Sequence, residues 1–198
     1  ANPPYLTRGM LVGAQTSVSF DIVNTGGAAS GDLTLQLPGT LPWLALSSPT
    51  VVPSIPPGGK ATVILTLNPP ADLPLTLYQG NLAAANNNTG ISVPFQFRAM
   101  SSGKGDLRVT ATDEYTYYVA GAPKVTNATV TVRDAITMAV VAQTNSDADG
   151  IAYFAGLAEG SYTVDASATS HNPSRGSAAV VTGTTNDLEA FMSRQLVS

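Results

Sequence analysis

Apolar and polar residues alternate with period two in short runs, and nearly every run stops at a break rich in Pro or Gly. A chain patterned this way buries one face of each run by pairing it into β-sheet. Val18, Phe20 and Ile22 alternate with Ser17, Ser19 and Asp21 before Asn24-Thr25-Gly26-Gly27 turns the chain. Leu33, Leu35 and Leu37 follow and stop at Pro38-Gly39, then Ala61, Val63, Leu65 and Leu67 run between Pro56-Pro57-Gly58-Gly59 and Pro69-Pro70. A weaker run carries Tyr78, Gly80, Leu82 and Ala84, and a last one Ile91, Val93, Phe95 and Phe97. Five or more short antiparallel strands with frequent turns predict a β-sandwich, and no amphipathic helix is visible in this half.

The stretch Ala99–Gly105 has no periodicity and small, flexible residues, which marks a boundary. Beyond it the pattern restarts. Leu107, Val109 and Ala111 predict one strand, Ala128, Val130 and Val132 another, and 136–144 a third. After the turn signal Asn145-Ser146-Asp147-Ala148-Asp149-Gly150, strands are expected at 151–154, at Tyr162, Val164 and Ala166, at 178–182 and at 188–196. With 198 residues available, the expectation is an all-β chain of two tandem antiparallel β-sandwich domains, 1–102 and 103–198.

Composition narrows the function. Only 11% of residues are charged against 43% hydrophobic, and 18 Gly and 14 Pro supply turns. Divided at Gly103, the chain has three Lys/Arg and three Asp/Glu before and six against ten after, so no basic surface offers itself to phosphates and nucleic acid is excluded as a partner. There is no Cys, hence no disulfide framework and no thiolate metal site. No leader and no run of about 18 apolar residues is present, so no membrane span is expected. A chain ending on the apolar Leu196 and Val197 before Ser198 reads as a segment of something longer. A first half kept soluble by Ser, Thr, Asn and Gln suits an extracellular or cell-surface module.

Two resemblances are carried by particular residues. The order Asn24-Thr25-Gly26, Pro42-Trp43-Leu44, Pro56-Pro57-Gly58-Gly59 and Leu75-Thr76-Leu77-Tyr78-Gln79-Gly80 resembles the immunoglobulin-like spacer domains of secreted bacterial proteins. In the second half, Ala128–Val132, Ser146–Gly150 with Phe154, and Gly156–Val164 are similar to the carboxypeptidase regulatory-like, transthyretin-like module, related to the B repeats of collagen adhesins. Such modules are non-catalytic stalks or folding aids. The departure is an enlarged first connection, 112–125, with three tyrosines. The B-repeat resemblance also implies a Lys to Asn isopeptide bond. Here Arg108 occupies the first strand, Lys104 precedes it and the closing strand offers no Asn, so the cross-link is not expected.

Candidate chemistry is sparse. His171, the one histidine, lies in the polar loop Ser170–Ser174 and is expected to be exposed, and neither a zinc site nor a Ser-His-Asp triad can be assembled around it. Asn145, Asp147, Asp149 and Gly150 match positions 1, 3, 5 and 6 of a calcium loop, but position 12 is Gly156 where a bidentate Glu belongs. A weak calcium site at Asn145, Asp147 and Asp149 therefore competes with a plain acidic turn, and no other cofactor is expected. Tyr115, Tyr117 and Tyr118 follow Asp113-Glu114; alternation puts the first two on one face, where they would either stack against a pyranose ring or cap the core. Trp43 lies among apolar residues and is expected in the core.

These signals predict a non-enzymatic structural spacer or adhesive stalk whose partners are neighbouring domains of a longer chain. The alternatives are a carbohydrate-binding accessory module of a secreted hydrolase, gripping polysaccharide through Tyr115 and Tyr117, and a filament subunit. In the last, the 1–6 arm or the 188–196 strand would complete the sheet of a like subunit.

Overall fold

The computed structural model of the chain describes residues 1–195 and divides it into two units, Ala1–Met100 and Ser101–Ser198, each with its own apolar core. In the first unit the strands are β1 (Leu6–Leu11), β2 (Thr16–Val23), β3 (Leu33–Gln36), β4 (Leu44–Leu46), β5 (Val51–Val52), β6 (Lys60–Leu67), β7 (Leu77–Ala85) and β8 (Gly90–Met100). They form a five-stranded sheet ordered β1-β8-β7-β3-β5 and a three-stranded sheet ordered β2-β6-β4. The inward residues of both sheets, among them Phe20, Val63, Leu65, Leu82, Val93 and Phe97, are buried between them, which makes the unit a β-sandwich.

The alternating runs became β2, β3, β6, β7 and β8 because each has one face to bury. Asparagines hold the turns. The Asn24 carboxamide accepts from the Gly26 amide and donates to the Ala28 and Ile55 carbonyls, and the Asn86 carboxamide accepts from the amides of Asn88 and Thr89. Gly80 faces Phe95 across β7 and β8, and a Cβ there would lie 2.6 Å from the ring, so only glycine lets the phenyl cover the strand. Strands β1, β4 and β5 lack a full alternating run. In β1 only Leu6 and Met10 are buried, because this edge strand touches the core at two points. The 1–6 arm is fastened within its own unit, where Asn2 and Asp21 exchange backbone hydrogen bonds of 2.8 and 2.9 Å.

The second unit comprises β9 (Lys104–Thr112), α1 (Glu114–Tyr118), β10 (Thr129–Asp134), β11 (Val140–Asn145), β12 (Ile151–Ala158), β13 (Gly160–Ser167), β14 (Ser174–Val180) and β15 (Thr185–Phe191). Sheets ordered β11-β10-β13-β14 and β12-β9-β15 enclose Leu107, Val109, Val130, Val132, Phe154 and Val164, giving a second β-sandwich. Among the described residues, strand pairing is antiparallel except for one parallel pair in each unit, β1 with β8 and β9 with β15.

Three expected strands shift. The 136–144 run starts late because the Asp134 carboxylate captures the amides of Ile136 and Thr137 and Met138 adopts a φ of 59°, which leaves a turn before Val140. The 178–182 strand is instead β14, beginning at Ser174 and ending at Val180. The 188–196 strand is instead β15, beginning at Thr185, and Leu196 lies outside the described residues.

Candidate functional site

The enlarged connection does not form the extended segment that alternation implied. Asp113, with φ −126° and ψ −174°, caps a short helix: its Oδ1 accepts from the Thr116 amide and hydroxyl, each at 3.0 Å. A carboxylate bonded to the third residue onward draws the chain into a helical turn, which overrides the strand preference of Tyr115, Tyr117 and Tyr118. The turn ends where the Val119 amide returns to the Tyr115 carbonyl.

All three tyrosines remain more than half exposed, at 58%, 59% and 78%. Tyr117 meets Tyr118 edge-on with centroids 5.1 Å apart and Phe191 of β15 at 5.7 Å. Tyr115 is turned to a different neighbour, the Arg194 guanidinium, which lies 4.2 Å from its ring centre. The face shared by Tyr115 and Tyr117 is thus replaced by two adjoining arrangements, one aromatic and one cationic.

Beneath them lies a cluster that no motif announced. The Asp113 side chain is only 4% exposed, and its Oδ2 accepts from Arg194 Nε at 2.7 Å and faces His171 Nε2 at 3.3 Å. The other ring nitrogen of His171 is 2.8 Å from the Thr169 carbonyl, and its side chain is 13% exposed. His171 is therefore not the exposed loop histidine expected from Ser170–Ser174. A buried acid 58 positions upstream draws the ring in, and no local sequence signal reports that. Burial alone would raise the Asp113 carboxyl. The Thr116 amide, Arg194, His171 and the Thr116 hydroxyl outweigh it and hold the group well below the usual carboxylate range. A cavity of about 270 Å³ beside the cluster is lined by Asp113, Lys124, Asn127, Thr169, His171 and Arg194.

Asn145, Asp147 and Asp149 lie together at the turn between β11 and β12, but their bonds are those of a turn. Asp147 Oδ1 accepts from the amides of Asp149 and Ile151, both at 2.9 Å, and Asn145 donates to the Asn127 carboxamide at 2.8 Å. Gly150 takes φ 74°, the left-handed backbone such a turn requires. Among the described residues no three His, Asp or Glu side chains are grouped to hold a metal ion.

Three other acids are paired with basic side chains. Arg108 grips Asp187 through two bonds of 2.6 and 3.0 Å, and Arg175 and Arg133 share Asp165, so both carboxyls are held below their ordinary range. Arg108, which stands where the B-repeat resemblance wanted a lysine, thus serves an ion pair. In the first unit Lys60 and Thr62 do the same for Asp21. Trp43 is 6% exposed and meets Tyr78 edge-on at 5.3 Å.

No family profile matches the chain, and no curated protein matches it. Among solved structures it is similar to GBS52, the minor pilin of Streptococcus agalactiae, with 11% identity over 86% of this chain and 85% of that one and a TM-score of 0.40. It is also similar to the Bacillus anthracis TIE protein, with 14% identity over 92% of this chain and 42% of that one and a TM-score of 0.39. The group B streptococcus pilus 2b backbone protein shows 13% identity over 91% of this chain and 86% of that one, with a TM-score of 0.37. Likenesses of this size decide nothing about role.

Proposed function

We propose that the chain is a non-catalytic structural segment, a spacer or adhesive stalk, of a larger secreted or cell-surface bacterial protein. In this reading the first unit is an immunoglobulin-like module and the second a carboxypeptidase regulatory-like module. The observation that carries it is how the polar interior is used. The buried polar residues Thr112, Asp113, Thr116 and Ser146 lie at strand ends or connections, and Asp113, Thr116 and Ser146 are bonded to backbone or to fixed side chains. The cluster of Asp113 with His171 and Arg194 has its carboxylate saturated by bonds that fasten three chain segments. A reaction centre needs a group left free to act on substrate.

A second reading is favoured by the exposure of Tyr117 and Tyr118 beside Phe191: a polysaccharide-binding module that uses this aromatic surface. Retention of the whole chain on insoluble cellulose, chitin and peptidoglycan separates the two. The spacer reading expects none. Retention that disappears in Tyr117→Ala would replace it with the second. Light scattering at rising concentration covers association with like subunits, and a monomer throughout counts against a filament.

A further inference from the structure

In each unit the first and last strands are neighbours, and they run parallel. β1 lies beside β8, with Leu6 opposite Phe95 and Leu11 opposite Met100. β9 lies beside β15, with Asp106 opposite Thr185 and Thr112 opposite Phe191. The chain enters each unit at the start of the first strand and leaves at the end of the last. Tension along the chain therefore drags the two strands in opposite directions along their common axis.

We propose that this pairing makes each unit a shear clamp, so that the segment transmits tension as well as filling distance. The inference rests on the spacer reading and gives it a mechanical function. The physical ground is how load is shared. When paired strands are pulled past one another, all the hydrogen bonds between them carry the load together and must fail almost at once. When strands are pulled apart from one end, the bonds fail singly, and each is replaced by water before the next is strained. Resistance to force is set by the unfolding rate, so two geometries of equal equilibrium stability can differ widely in strength.

Both clamps are extended beyond their ladders. In the second unit Gly183 donates to the Lys104 carbonyl at 2.8 Å and Asp106 to that of Thr184 at 2.9 Å at one end, and Met192 donates to that of Thr112 at 2.9 Å at the other. Arg108 and Asp187 stand opposite each other in register and add two side-chain bonds across the same pair. Past the ladder, Arg194 on the exit segment is bonded to Asp113, the residue that follows the entry strand. In the first unit Val12 donates to the Met100 carbonyl at 3.0 Å, and the Asn2 and Asp21 bonds hold the arm that precedes β1. Leu6 and Met10, each 1% exposed, anchor β1 in the core.

The chain contains no cysteine, so thiol handles can be placed where they are wanted. Single-molecule pulling of the whole chain through its two ends loads both clamps in shear. Pulling the Ser102→Cys/Val181→Cys variant loads only the second unit, from the end where β9 and β15 both begin, and peels the strands apart. Both unfolding events through the chain ends should require several-fold more force than the event through residues 102 and 181. Urea unfolding of the variant should match that of the parent. Arg194→Gln should lower the force of one end-to-end event and leave the peeling force unchanged. Equal forces in the two geometries, or weaker units when pulled through the ends, would overturn the clamp. Such a result with no polysaccharide retained leaves the spacer reading in place, whereas retention lost in Tyr117→Ala removes that reading whatever the force.

Discussion

The interior of the first unit is apolar among the described residues, whereas the second buries Thr112, Asp113, Thr116 and Ser146 alongside its apolar core. The difference follows from the connections. Loops in the first unit are held at the surface by asparagine carboxamides that copy backbone hydrogen bonds, so nothing polar has to enter the core. The second unit must carry the long 112–125 connection across the end of its sandwich, and the backbone of such a segment needs partners wherever water is excluded. Asp113 supplies them to α1, Thr116 bonds the Pro123 carbonyl, and Ser146 bridges the Val125 carbonyl and the Ala128 amide. Among the described residues one unit has an apolar interior with its polar bonds kept to the turns and surface, and the other combines an apolar core with a buried polar network. Both close by parallel pairing of their first and last strands.

The sharpest test of the packing side is Leu82→Ala, which removes a fully buried side chain from the first unit. A loss of about 3 kcal/mol is expected, read as a lower urea midpoint in the fluorescence of Trp43, the chain's single tryptophan. On the polar side, Asp113→Asn should cost the second unit about 2 kcal/mol. The amide can still cap α1 but no longer neutralises Arg194. A cost confined to a few tenths would show that the network merely decorates the fold.

Acid should divide the units in the same sense. Asp113, Asp165 and Asp187 all have carboxyls held below their unfolded range, so their contribution is complete above that range and is lost as pH falls through it, from about pH 4 downward. Asp21 is the corresponding group in the first unit and is bonded at the surface. Near-ultraviolet circular dichroism during acid titration should therefore show tyrosine signals of the second unit melting before Trp43 is released. The reverse order would break the comparison.

Two smaller effects refine it. Asp147→Ala should cost about 1 kcal/mol through loss of the turn bonds to Asp149 and Ile151, by the same amount with or without millimolar calcium. A calcium-dependent cost would instead assign a calcium ion to Asn145, Asp147 and Asp149. Thr112→Val should stabilise the second unit by about 1 kcal/mol, since the Thr112 hydroxyl is buried without a hydrogen-bond partner among the described residues. Differential scanning calorimetry would read either change.

Strands that bury one full face were legible in advance, as β2, β6 and β8 show, because their alternation is itself the record of burial. Strands held mainly by tertiary contact were not. β1 enters the core only at Leu6 and Met10, and β15 is displaced toward Thr185 because it follows the register of β9, not its own pattern. At the candidate site, Tyr115, Tyr117 and Tyr118 were visible as a group, but their helical arrangement depended on Asp113 choosing the Thr116 amide. His171 was visible only as a loop residue.

What the sequence determined by itself is the class of this protein: period-two alternation punctuated by Pro, Gly and Asn admits little but paired strands stacked in sandwiches, because hydrophobic burial follows local pattern. What only the tertiary structure decided is which distant residues meet. Asp113 finds Arg194 and His171, Arg108 finds Asp187, and each entry strand finds its exit strand in parallel. Those pairings join positions 58 to 89 residues apart. They are chosen by the closure of the sheets as a whole, which no local pattern encodes.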